Sequence, residues 1–258
     1  MEWIINNGDF FKMAIKLFSH YHDVNIRVDK NDIYFYKSDG ISMTIVNINK
    51  NFFGVNKFPE SIKEAQIRTD EFLNILNCFN GVIILSFDDN FTTLLIKTSG
   101  DTIIKKEFKI RLLELSDMEI KLRELNYEND YYIYKISSID FGDILHSPDK
   151  KEEKISFNID GKELHTTSQQ ESSFLLQYFT SIEKSDKLSI ETIGKPNIFK
   201  IVFGKEQINK FMNGLSGTLN LEIMFKEAYP IIIKSEVFDG ITPMFKFTYF
   251  LAPRVDID

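Results

Sequence analysis

Apolar and polar residues alternate in short runs along most of the chain, and a period of two marks strands that bury one face. The runs fall at 26–28, 33–36, 41–48, 82–87, 91–98 and 102–113, and again at 155–159, 173–180, 188–192, 199–203, 219–225, 231–237 and 244–251. Polar turns at Asp29-Lys30-Asn31, Asp88-Asp89-Asn90 and Ser99-Gly100-Asp101 link neighbouring runs into meanders. Four segments keep a helical period instead. The first follows Asn7-Gly8-Asp9 and aligns Phe11, Ile15 and Phe18, with Lys12, Lys16 and Ser19 turned away. A second opens at Thr69-Asp70, a candidate N-cap, with Phe72, Leu73, Leu76 and Phe79 inward and Asn74 and Asn77 outward. The third covers about 138–146 and stops before Pro148, with Ile144 and Leu145 inward and Asp140 and Asp143 outward. The fourth runs from 205 to about 215 and aligns Ile208, Phe211, Met212 and Leu215.

Helices one and three lie half the chain apart, as do helices two and four, and each pair sits in the same strand order. The pattern therefore predicts a duplicated α+β architecture, antiparallel sheet with two short helices in each domain, over 1–113 and 129–258. Residue identity between the halves is slight, so the repeat is one of pattern only. Residues 114–128 between them show neither strict alternation nor a clean helical face. Two readings are open there: a connecting loop, or a short amphipathic helix through Met118, Leu122 and Leu125.

Composition narrows the class. A chain of 258 residues, 43% hydrophobic, can bury one large core or two of moderate size. No apolar run approaches the roughly 18 residues of a membrane span, and the first residues lack the features of a signal peptide, so an intracellular protein is expected. The single cysteine, Cys78, excludes an internal disulfide and a cysteine-based zinc site. With 31 Lys+Arg against 38 Asp+Glu the net charge is −7, which argues against a protein that grips nucleic acid through many phosphate contacts. A protein that encircles DNA is the exception, since topology replaces adhesion.

Nothing in the chain assembles an active site. His20, His22, His146 and His165 are scattered, and Gly40, Gly54, Gly81 and Gly100 are isolated turn glycines without a phosphate-loop pattern. Asp88-Asp89 fits turn geometry better than a metal site. No catalytic residue, metal or cofactor is expected.

Two stretches carry a family resemblance: Phe247-Thr248-Tyr249-Phe250-Leu251-Ala252-Pro253-Arg254-Val255 at the C-terminus, and Tyr229-Pro230-Ile231 before an Ile-rich strand. Together with the length and the helix order, they resemble the sliding DNA clamps, the ring-shaped polymerase processivity factors of the proliferating cell nuclear antigen type. The resemblance implies a homotrimer around double-stranded DNA, opened by an ATP-dependent clamp loader, that tethers DNA polymerase and other clamp-binding-motif proteins, with no membrane partner. The compartment would be the nucleus or a viral replication site, or the cytoplasm if the source is archaeal. It implies DNA-facing positions at Lys12, Lys16, Asn74, Asn77, His146, Lys205 and Lys210, a weakly basic set that an ordinary solvated helix face explains equally well. It implies a client groove from Ile41, Met43, Leu122, Leu125, Pro230, Tyr249, Phe250, Leu251, Ala252 and Pro253. Subunits would meet through edge strands at 105–111 and 173–179, with Phe108 and Ile110 on one and Phe174, Leu176 and Tyr178 on the other, and with little charge complementarity. The second edge reads equally as an interior strand. The rival functions are a checkpoint-type or transcription-associated clamp paralogue, acting within a hetero-oligomer, and an enzyme on an all-β scaffold.

Overall fold

The computed structural model describes residues 2–30, 32–49, 52–56, 59–98, 105–115, 129–146, 154–170 and 176–254. In chain order the first half gives β1 (Glu2–Ile5), α1 (Gly8–Lys16), β2 (Asp23–Val28), β3 (Asp32–Ser38), β4 (Ser42–Asn49), β5 (Phe53–Asn56), β6 (Lys63–Arg68), α2 (Thr69–Asn77), β7 (Ile83–Phe87), β8 (Thr93–Thr98) and β9 (Glu107–Arg111). The second half gives β10 (Tyr131–Ser137), α3 (Ser138–Leu145), β11 (Lys154–Ile159), β12 (Glu163–Gln170), β13 (Leu176–Glu183), β14 (Leu188–Ile193), β15 (Phe199–Gly204), α4 (Lys205–Gly214), β16 (Asn220–Phe225), β17 (Ile231–Asp239) and β18 (Thr242–Leu251). Each half therefore runs strand, helix, five strands, helix, three strands.

Strand neighbours repeat as well. The three sheets read β5-β1-β7-β8-β9, then β14-β10-β16-β17-β18-β4-β3-β2-β6, then β13-β12-β11-β15. Numbered from one to nine within each half, the orders 5-1-7-8-9 and 4-3-2-6 each occur twice. The ninth strand of the second half (β18) neighbours the fourth of the first (β4), whereas their counterparts β9 and β13 end their sheets.

By compactness the chain divides into one unit of Met1–Asp39, Thr44–Lys121 and Glu236–Phe247 and another of Gly40–Met43, Leu122–Ser235 and Thr248–Asp258. In the first, Phe11 of α1 packs edge-on against Phe35 and Phe72 at 5.9 and 6.1 Å. In the second, Phe157 meets Phe141, Phe203 and Phe225 at 6.4, 5.9 and 5.2 Å. Such fully buried rings supply about 1.5–3 kcal/mol each from area alone, and preferred ring geometry adds to it. Phe11 and Phe141 are both the fourth residue of their helix.

Helix entry follows the same repeat. Asn7 caps α1 by accepting from the Phe10 N–H at 3.4 Å, and Ser137 caps α3 by accepting from the Asp140 N–H at 3.0 Å. The second helix of each half grows straight out of a strand: Arg68 and Gly204 hold the cap position in extended conformations and give no side-chain bond. Thr69 is therefore the first helical residue and not the cap that the sequence suggests, and its N–H is satisfied by the His22 carbonyl at 3.1 Å.

Five strands escape the alternation pattern. β6 hides because its buried positions include Gln66, whose amide donates to Asp23 and Asn25, and β12 because Thr166 and Ser168 fill its inner face. β10 is aromatic on both faces, and β1 and β5 have only 4 residues each. Gly54 lies within β5 and not in a turn. The turn reading of Asp88 holds: its carboxylate accepts from the Thr92 and Thr93 N–H groups at 2.7 Å, where Phe91 has a φ of 59°.

Candidate client and nucleic-acid interface

The helix faces differ from what a phosphate-lined wall requires. On α1, Lys16 is exposed but Lys12 is folded onto the next helix, donating to the Phe79 carbonyl at 2.6 Å and to Asp9 at 3.3 Å. Lys106 donates to the Cys78 carbonyl at 2.5 Å. Two ammonium groups thus close the C-terminal end of α2, where the helix dipole favours cations. Asn74 and Asn77 are exposed on α2, and His146 is exposed at the end of α3. Lys205 contradicts its expected place: at 5% exposure it is buried at the start of α4. Lys210 is exposed and binds Glu206 one turn back at 2.6 Å, which holds the Glu206 carboxyl below its ordinary range, with lesser help from Arg254. Asp140 is likewise held low, first by the Ser137 hydroxyl and then by Lys187. Across the four helices, Asp9, Asp70, Glu71, Asp140, Asp143 and Glu206 outnumber the lysines.

Of the expected groove residues, Ile41 and Ala252 are joined by a backbone hydrogen bond. β18 ends against the approach to β4, with the Ala252 N–H donating to the Ile41 carbonyl at 2.9 Å, and Arg254 continues the chain by donating to Val202 at 2.8 Å. Tyr249 is stacked on Phe211 of α4 at 4.1 Å and donates from its hydroxyl to the Gln207 carbonyl at 3.2 Å. Tyr249, Phe250 and Leu251 are consequently buried and anchor the site instead of lining it. The reachable apolar set is Ile41, 55% exposed, with half-buried Met43, Pro230, Ala252 and Pro253. Beside Pro230 stands Tyr229, half exposed, with the Lys226 ammonium 4.5 Å above its ring. The sequence reading singled out Tyr229 only as a flank of Pro230 and did not single out Lys226, because an exposed aromatic beside a lysine has no periodic signature. Leu122 and Leu125 lie outside the described residues, as does most of 114–128.

Of the edge residues, Phe108 and Ile110 turn inward: Ile110 is buried, and Phe108 packs on Phe79 at 5.7 Å. The outward face of β9 is Glu107, Lys109 and Arg111, all exposed. Alternation along 107–111 already contained this assignment. Among the described residues β13 ends its sheet, paired with β12 from Glu163↔Glu183 to Gln170↔Leu176. Phe174 lies outside the described residues; Leu176 and Tyr178 belong to the backbone of β13.

Among the described residues no group of three or more His, Cys, Asp or Glu could hold a metal ion. His20 and His22 precede β2 instead of sharing a strand face, His20 against Tyr21 at 4.0 Å, and His165 lies 3.7 Å from Glu163 on β12. No described helix is long and apolar enough to cross a membrane.

No protein-family model and no curated protein matches the chain. Solved structures do. A. fulgidus PCNA with the C-terminal region of FEN-1 bound is similar at a TM-score of 0.79 and 18% identity, over 100% of this chain and 99% of that one. The fold is that of the sliding clamps. Proliferating cellular nuclear antigen from Entamoeba histolytica is similar at 0.79 and 18% identity over 98% of both chains, and PCNA from Thermococcus kodakaraensis at 0.80 and 15% over 98% of this chain and 99% of that one. The clamp fold accounts for the duplicated strand order, and at these identities it was reached by chains with few residues in common.

Proposed function

We propose that this chain is a DNA sliding clamp, a non-enzymatic ring that encircles duplex DNA and tethers a polymerase and other replication or repair proteins. One observation carries the reading: β18 neighbours β4, and β9 and β13, their counterparts in the other halves, are left as sheet ends. Pairing β9 of one copy with β13 of the next repeats a junction the chain already makes, and a head-to-tail contact of this kind closes into a ring when its rotation closes. Three copies are expected, with domain limits of 1–113 and 129–258. Clients would lay an apolar turn on Ile41, Met43, Pro230, Ala252 and Pro253, in keeping with the FEN-1 segment bound to the A. fulgidus protein. A client held on the ring meets DNA at high effective concentration, which is the whole of the mechanism.

The test is primer extension on a circular template with a matching ATP-driven loader. Longer products with the clamp support the reading; unchanged product lengths contradict it. The excess of carboxylates on the helices favours a second reading, a clamp paralogue that recruits signalling or transcription proteins within a hetero-oligomer. That reading requires the purified chain to remain a monomer until another subunit is added.

A further inference from the structure

In the first unit, the end of β17 and the start of β18 meet in a two-residue turn, Gly240-Ile241. Gly240 takes a φ of 61°, as the first position of a tight hairpin turn requires. The turn needs that glycine and makes no use of the isoleucine after it, since small and polar residues serve such positions. Yet Ile241 is 96% exposed, with Phe238 48% exposed on one strand and Pro243 exposed on the other. Apolar residues exposed singly are ordinary, but three within the six residues of a hairpin tip make one patch. The tip is also held in place: the Asn7 side-chain amide, just before α1, donates to the Asp239 carboxylate at 3.2 Å.

Beside the hairpin lies a cleft of about 290 Å³, lined from β17 and β18 by Glu236, Pro243 and buried Met244 and from β3 and β4 by Asp32, Asn47 and Asn49. Asp32 is organised as an acceptor. Asn49 donates to its Oδ1 and the Tyr34 hydroxyl to its Oδ2, both at 3.2 Å, and each oxygen keeps a lone pair for a further donor. Burial and the nearby Asp32 carboxylate push the Tyr34 hydroxyl up to about 12, so it remains a donor. Glu236 is exposed and makes no ion pair among the described residues. Of the residues that line the cleft only Lys246 is basic, and Asp239 adds a third carboxylate at the tip.

We infer that this hairpin and its cleft form a docking surface for a partner protein, one that presents a large apolar side chain next to a lysine or arginine. The apolar side chain rests on Phe238, Ile241 and Pro243, the cation meets Asp32 and Glu236, and the amides of Asn47 and Asn49 serve the partner's backbone. Unlike charges select the partner, and the same carboxylates repel phosphate, so the surface is not one for DNA. A tip already fixed by its turn and by Asn7 loses little freedom on binding. The surface belongs to the start of β18, whereas Ala252 and Pro253 follow its end. It is therefore separate from the client groove proposed above and does not depend on ring closure.

Selection of a displayed library of random short peptides on the full chain tests this, with fluorescence anisotropy of the peptides recovered. Binding is compared between wild type, Phe238→Ser/Ile241→Ser, Asp32→Asn/Glu236→Gln and the groove variant Ile41→Glu, each confirmed as folded by circular dichroism. The expected result is a class of peptides with an apolar residue next to Lys or Arg. Their affinity falls about a hundredfold in the apolar variant and about tenfold in the carboxylate variant, and Ile41→Glu leaves it unchanged. Recovery of no such class overturns the inference, as does a class that survives both hairpin variants or prefers acidic sequences. Peptides lost only with Ile41→Glu overturn it and leave the client groove intact. Self-association or retention of a short DNA duplex that Phe238→Ser/Ile241→Ser abolishes, with no peptide class, assigns the tip to a second copy or to DNA and also overturns it.

Discussion

The two halves of the chain solve one packing problem with different residues. At the first turn of α1 the Gly8 N–H donates to the Gly81 carbonyl at 3.1 Å, and at the same point of α3 the Ser138 N–H donates to the Leu219 carbonyl at 2.7 Å. The first half tolerates no side chain there, because a Cβ on Gly8 would lie 2.4 Å from that carbonyl oxygen. In the second half the side chain joins the contact: Ser138 donates to the Gly217 carbonyl at 3.3 Å and accepts from the Leu219 N–H at 3.0 Å. The difference teaches that backbone docking and the apolar stripe are what the repeat retains. Side-chain chemistry is free to drift around them: α1 carries Lys12 and Lys16, and α3 carries Asp140 and Asp143 at other positions of the helix.

The largest expected effect tests whether both halves depend equally on their aromatic centres. Phe72→Ala and Phe157→Ala should each cost about 3–5 kcal/mol, read by urea unfolding, since both rings are fully buried. A loss below about 1 kcal/mol in one half would break the comparison. Next comes the helix-entry contact. Gly8→Ala should cost about 1–3 kcal/mol through overpacking and Ser138→Ala about 1–2 kcal/mol through lost hydrogen bonds, so the same substitution acts by opposite means. The caps should matter less, with Asn7→Ala and Ser137→Ala each destabilising by about 0.5–2 kcal/mol, while Arg68→Ala leaves the start of α2 unchanged.

The smallest effect is a pH dependence at the start of α3. Asp140 is held below the ordinary carboxylate range by Ser137 and Lys187, so its contribution is complete above that range and is lost as pH falls through the lowered value. Asp140→Asn should therefore flatten the acid limb of the unfolding profile, measured by circular dichroism.

How far the sequence carried can be judged residue by residue. The four helices and most strands were readable because each buries one face, and Phe11, Phe72, Phe141 and Ile208 recur at the fourth helical position. β6 and β12 were not, since polar side chains satisfied by neighbours occupy positions that a binary pattern reserves for apolar ones. At the proposed site, Ile41, Met43 and Pro230 came from the family resemblance and are at least partly exposed, whereas Tyr249 and Leu251 are buried, which only the stacking on Phe211 and the sheet pairing decide. Lys205 and Lys12 were read as a solvent face because periodicity says which side a residue takes and not what it reaches. The outward charges of β9 were available in the alternation and were outweighed by its apolar residues.

Light scattering on the purified chain, followed over dilution, tests the pairing of β9 with β13 most directly. One closed species at three times 30.2 kDa is expected. A mass of 30.2 kDa at every concentration, or a ladder that grows with concentration without closing, would contradict it.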